Sequence, residues 1–226
     1  LLPVMGGGTI VLEEDAWEAH RHAIAPTFGA GAMSRLPGLV SRAARARLSR
    51  WSGSVNLSRE MRCMLTEVIV AYFLNDPFGD PGPFSVDELA TRFARLEEGL
   101  EDRVVDRWDL TERLKTLFTG RPSFETALSE VTTLIRRRIE EERASAVSDP
   151  TSPLRTILGR LPRDDSAVSE IRNLIAAGMT SVHLLTWLLH LLARNPEVQE
   201  ELRSSVAGDG QAGSGHVAAV LNEGLR

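Results

Sequence analysis

Residues 171–196 of this chain read IRNLIAAGMTSVHLLTWLLHLLARNP, and no other stretch restricts the fold as much. A helix at a protein surface carries one apolar stripe, whereas one that is apolar almost all round is surrounded by protein or by lipid. Gly178, Thr180 and Ser181 lie at its middle. Glycine weakens a helix there, and hydroxyl side chains bond back to carbonyls one turn earlier and bend it. The pattern predicts a buried central helix with a polar notch, which is the first place to look for chemistry. About twenty mostly apolar residues would also span a bilayer. His183, Thr186 and His190 interrupt them, however, and Arg172 and Arg194 flank them. A core helix is the preferred reading.

The rest of the chain shows helical spacing and no alternating strand pattern, so the fold class is all-α. A helix starts near Glu13 and closes at Pro26, and a basic helix over 34–51 is interrupted early by Pro37-Gly38. An amphipathic helix over 57–74 follows the turn Ser52-Gly53-Ser54. NDPFGDPGPF, residues 75–84, is the clearest punctuation. Ser85 with Glu88 then forms a capping box for a helix to about Glu101. Residues 102–122 read as a connector, 123–146 as a charged helix and 153–161 as a short one. Asp164-Asp165-Ser166 cap the central helix, Pro196 opens another, GDGQAGSG reads as a flexible loop, and a last helix begins at His216.

With 42% hydrophobic and 25% charged residues, the 226-residue chain can bury one core, read as a single domain over 1–226. Its net charge of −5 offers no basic field to nucleic acid. Cys63 is the only cysteine, so no internal disulfide and no cysteine-based metal site is expected. It sits within a helical pattern, where a free Cys behaves as a small hydrophobe. Gly6-Gly7-Gly8 lacks a following Gly-Lys-Ser/Thr, which leaves a plain flexible loop rather than a phosphate cradle. The five histidines show no ligand spacing. The opening LLPVMGGGTIVLEED has no charged leader, so a cytoplasmic, bacterial-like location is expected, with an anchor upstream of residue 1 left open. The missing initiator Met and the stop at Arg226, inside a helical segment, suggest an excerpt of a longer chain.

Trp17 and Arg21 lie at i and i+4, so both project from one helix face. An indole N–H beside a guanidinium suits a carboxylate on a flat ligand, although the pair is also an everyday aromatic–cation contact. Glu223 and Arg226 again share a face, as in any helix ion pair. Taken in order, Trp17-x-x-x-Arg21 before APTF, then AAGMTS, then ARNPEVQEELR, then Glu223-x-x-Arg226 resemble the cytochrome P450 family over essentially the whole chain. The resemblance implies the helical part of that fold, truncated at both ends, with haem b in the parent protein. It implies that Trp17 and Arg21 hold haem propionates, that Ala177 lies against the haem, and that Thr180 is the threonine of the oxygen-binding groove. Ala176 and Asn173 become substrate-contact candidates, and Glu223 with Arg226 a structural ion pair.

The implied activity is a haem-thiolate monooxygenase that inserts one atom of O2 into an apolar small molecule, with electrons from a ferredoxin or flavoprotein. Two departures stand out. Met179 replaces the family's acid before the threonine, so Met179→Glu is expected to raise product per electron wherever the buried carboxyl finds a partner. The haem-ligating Cys belongs downstream of the Glu-x-x-Arg helix and is not Cys63, so the piece alone is expected to be inactive, with no metal ligand of its own. The geometric expectation is that Trp17 and Arg21 turn toward the cavity that Ala177 and Thr180 line. A ligand-binding helical regulator and a membrane-embedded helical protein are the rival classes; the first should open with a basic helix-turn-helix, which the Gly-rich start does not supply.

Overall fold

The segment LSREMRCMLTEVIVAYFL becomes a helix whose last two turns are buried on every side, from Val68 to Leu74, and the other helices assemble around it. The computed structural model describes residues 6–75, 84–104, 122–146, 149, 151–207 and 210–224. In chain order the helices are α1 (Glu14–Ile24), a 3-10 turn (Ala25–Phe28), α2 (Ala30–Met33), α3 (Leu36–Leu48) and α4 (Leu57–Leu74). They continue with α5 (Val86–Val104), α6 (Phe124–Ala144), α7 (Pro153–Arg160), α8 (Asp164–Met179), α9 (Ser181–Arg194), α10 (Pro196–Ala207) and α11 (Gly210–Gly224). No strand occurs among the described residues.

Helix α4 touches α3, α5, α6, α7, α8 and α9, which places it at the centre. Its start is fixed by Asn56, whose side chain accepts from the Arg59 N–H. Asn75 ends it in the left-handed conformation, at φ 52°, a conformation asparagine tolerates better than most residues. Against α4 lie Val168, Ile171 and Ile175 of α8 and Val131, Ile135 and Ile139 of α6, all buried in one apolar cluster. Burying each such side chain is worth about 1.5–3 kcal/mol. Where α8 crosses α4, a Cβ on Gly178 would come within 2.7 Å of Ile69 Cδ1. The glycine in the middle of the apolar helix therefore serves a close helix crossing.

The sequence reading needs correction at several points. Pro37 does not interrupt the basic helix: it sits in the first turn of α3, where no N–H is required. Asp164 and Asp165 are first-turn residues beyond an uncapped Arg163, and favour the helix through its dipole alone. The GDGQAGSG stretch is not a loop throughout, because α11 begins at Gly210. Packing of α11 on α10 overrides the low helix propensity of its glycines. The capping box is present: the Ser85 N–H donates to Glu88 Oε2 at 2.8 Å, and the Glu88 N–H donates to Ser85 Oγ at 3.3 Å. Residues 76–83 and 105–121, with most of the two proposed connecting segments, lie outside the described residues.

Candidate functional site

The apolar run is two helices, not one. Helix α8 ends at Met179, Thr180 forms a turn, and α9 starts at Ser181. The Thr180 hydroxyl donates to the Ala177 carbonyl at 2.7 Å. The N–H groups of Thr180 and His183 reach carbonyls only three residues back, both at 3.3 Å. A hydroxyl bonding back in this way competes with the backbone ladder and opens it. The notch is thus a break, with Ala177, Thr180 and Ser181 exposed along one side.

Beside the break lies a cavity of about 240 Å³. Ala176, Ala177 and Thr180 form one wall, Phe93 and Leu96 of α5 another, and Ile10 reaches in from the N-terminal loop. Small side chains at 176 and 177 leave the room, and large ones on α5 close it. Met179 touches this space but is only 1% exposed. Its sulfur accepts from the Thr66 hydroxyl at 3.8 Å, turned toward α4.

Glu170, two turns before Ala177 on the same face, is buried at 1% exposure and was not singled out from the sequence. It accepts from the Thr9 N–H at 2.8 Å and the Thr9 hydroxyl at 2.7 Å, and lies 3.1 Å from His20 Nδ1. The carboxylate staples both the N-terminal loop and α1 to α8. The loop sits so close that a Cβ on Gly8 would meet Asn173 Nδ2 at 2.2 Å, and one on Gly6 would meet Ser169 Oγ at 2.4 Å. Gly6 and Gly8 are therefore contact glycines, not merely flexible ones. The available signal was a lone carboxylate on an otherwise apolar helix face.

Asn173 is buried beneath Gly8, away from the cavity, and its amide has no protein partner. Trp17 and Arg21 do share a face, with the guanidinium 5.6 Å from the indole ring centre. They do not line the cavity of Ala177 and Thr180, contrary to the geometric expectation. His20 takes the inward position through Glu170, and the flanking pair stays on the outer surface, with Trp17 40% exposed. The His20–Glu170 contact ties α1 to α8 two turns before Ala177, while the body of α1 packs on α7. Glu223 is on α11, and Arg226 lies outside the described residues.

Cys63 is 1% exposed and its thiol donates to Asp87 Oδ1 at 2.8 Å. Burial, helped by that bond, pushes the thiol pKa up to about 12. It is no candidate thiolate. No group of three or more His, Cys, Asp or Glu side chains is placed to hold a metal ion among the described residues.

The model of the cytochrome P450 family matches residues 2–209. The chain belongs to that family. Cyclooctatin synthase of Streptomyces melanosporofaciens is 24% identical, over 90% of this chain and 46% of its own length. Cytochrome P450 714D1 of Oryza sativa subsp. japonica is 28% identical, over 93% of this chain and 41% of its own. The chain spans about half the length of these relatives. A six-coordinated cytochrome P450 from Thermus thermophilus shares the fold at a TM-score of 0.63, with 20% identity, over the whole of this chain and 51% of that one.

Cytochrome P450 proteins bind haem, and the donor set on α1 fits a haem's carboxylates. Among the described residues Arg21 pairs with no carboxylate, and its guanidinium lies over the Trp17 ring. An indole N–H and a free guanidinium on one exposed face are acceptor-seeking groups. At the end of α8 and in the turn after it, the exposed Ala177 and Thr180 are small enough for a flat ring to approach the break closely.

Proposed function

We propose that the protein is a haem-dependent monooxygenase that inserts one atom of dioxygen into a small, mainly apolar molecule. The observation that carries this reading is the apolar cavity walled by Ala176, Ala177 and Thr180 at the break of the central helix. A cytoplasmic location and a ferredoxin or flavoprotein electron donor complete the proposal.

When bound, haem supplies the oxidation chemistry. The residues of this chain bind, orient and manage protons. Trp17 Nε1–H and the Arg21 guanidinium hold the carboxylates of the cofactor by charge-assisted hydrogen bonds. Phe93, Leu96 and Ile10 exclude water and hold the apolar substrate against Ala176. The Thr180 proton is committed to the Ala177 carbonyl, so Thr180 Oγ presents lone pairs to the cavity and accepts a proton donor there. Met179 has no exchangeable proton and its sulfur faces Thr66, so it relays nothing. Protons reach Thr180 through water or through the neighbouring exposed Ser181. Cys63, buried and held protonated, would not serve as a thiolate ligand to the haem. The 226-residue chain alone is then inactive.

The test is Thr180→Ala in the complete protein. Haem content and substrate affinity should stay as in the wild type. Product formed per electron consumed should fall about tenfold or more, within the range that general acid–base groups contribute, with peroxide rising in proportion. Unchanged coupling, with binding intact, rules out this groove as the proton route.

A further inference from the structure

Three polar side chains border the cavity beside Thr180, and each is engaged elsewhere. The Glu97 carboxylate pairs with Arg62 of α4. The Arg172 guanidinium is covered: its Nη1 donates to the Thr132 hydroxyl at 3.3 Å, its Nε is buried, and Gly6 packs over its Nη2. The Thr180 hydroxyl gives its proton to the Ala177 carbonyl at 2.7 Å. Met179, the one heteroatom-bearing apolar residue on the wall, turns its sulfur toward Thr66. What faces the space is hydrocarbon: Ile10, Phe93, Leu96 and Ala176, with the carbon stems of Glu97 and Arg172.

Among the described residues, the polar side-chain atom left to a ligand is Thr180 Oγ, which keeps free lone pairs. Thr180 is exposed and sits at the break, so this atom lies at the mouth of the cavity. A hydroxyl or carbonyl carried inward past the break would lose its water and find no partner. Such a loss costs about tenfold or more in affinity for each group. At about 240 Å³ the space falls just below the range of about 300–1,000 Å³ that holds drug-sized ligands, so it takes one compact body.

We propose that the substrate enters this cavity as a bare hydrocarbon body, any polar group staying at the break, and that the enzyme puts the first oxygen on that body. A C–H bond gives way to C–O–H there. The second oxygen atom of dioxygen leaves as water, with two electrons from the donor and two protons from solvent. A second carbon of the same body is not oxygenated, because turning it toward Thr180 would carry the new hydroxyl into the apolar end. Later oxidations of that body fall to another enzyme. The statement about oxygenation rests on the monooxygenase reading above, and the statement about binding does not.

The experiment compares cyclohexane, cyclohexanol and trans-cyclohexane-1,4-diol by equilibrium dialysis against the complete haem-loaded protein. A single hydroxyl can face Thr180, so cyclohexanol should bind nearly as well as cyclohexane. The diol carries its hydroxyls at opposite ends and must turn one inward, so it should bind about tenfold or more weaker than cyclohexanol. A diol that binds as well as cyclohexanol, equal losses at both steps, or no binding of cyclohexane overturns the proposal. Ala176→Phe should fill the space and abolish cyclohexane binding with haem content unchanged, and undiminished binding overturns it as well. Should that variant fail to fold, the wild-type series decides. Under electron supply cyclohexane should yield cyclohexanol alone, and diol among the products contradicts the single oxygenation. The expected binding series without any oxygenated product sinks the monooxygenase reading and leaves the hydrocarbon pocket standing. Oxygenated product with no loss of affinity on the diol does the reverse.

Discussion

Met179 stands where the family resemblance implies an acid, and its surroundings decide what a substitution there would do. The side chain is 1% exposed and its one polar neighbour is the Thr66 hydroxyl. A carboxylate in place of the sulfur is buried beside the Thr66 hydroxyl, and burying it without a cation costs several kcal/mol or forces it to stay protonated. Improved coupling in Met179→Glu thus depends on the carboxyl finding a partner in this buried position. The variant should lose about 3 kcal/mol or more, as unpaired buried polar groups do, read as a drop in denaturation midpoint. Met179→Leu should cost less than about 1.5 kcal/mol. Cys63 makes a second residue-scale prediction. Its folded pKa is raised to about 12 from 9.0. The stability it contributes is present in full below pH 9 and is lost as pH climbs from about 9 toward about 12. At neutral pH the thiol should resist alkylation until the chain unfolds, and hemin added to the isolated chain should give no thiolate-type Soret band after reduction with carbon monoxide. Rapid alkylation of the folded chain, or such a band that disappears in Cys63→Ala, contradicts the assignment.

At the scale of elements, the Glu170 staple joins three segments that the sequence keeps far apart. Replacing Glu170 with Gln preserves its size but turns an NH2 donor toward one of the Thr9 donors and removes the charge facing His20. Loss of hydrogen bonds to a buried charged group is worth about 1.5–3 kcal/mol. Glu170→Gln should lower stability by that order and expose the loop around Gly6–Thr9 to limited proteolysis. An unchanged melting temperature with unchanged cleavage would remove the staple from the account. The helices themselves were legible because their signals are local: Ser123 opens one, Pro153 starts another, and Ser85 and Glu88 exchange bonds as their spacing dictates. The reasons for Gly6, Gly8 and Gly178 were not legible, since each answers a neighbour far away along the chain. The break at Thr180 was half legible. A hydroxyl in an apolar helix announces a bend, but whether the ladder bends or opens is settled by its bond to Ala177.

For the whole molecule, the order of four motifs identified the family while the packing did not. Trp17 and Arg21 share a face by spacing alone, but their outward position depends on His20 engaging Glu170, which no local pattern shows. Helix α8 is a core helix, walled by α4, α6 and α7, whereas α9 leaves Trp187 56% exposed, stacked on His190. That half of the apolar run is therefore available for contact with something beyond these residues. The central claim is that α1 and the α8–α9 break together form one side of a haem site. Haem retention measures it most directly, by the rate at which an excess of apomyoglobin strips haem from the complete protein. Arg21→Leu and Trp17→Phe should each speed haem loss about tenfold or more, the worth of one hydrogen bond to a charged group. Thr180→Ala should leave it unchanged. Equal rates of haem loss in wild type, Arg21→Leu and Trp17→Phe would contradict the site.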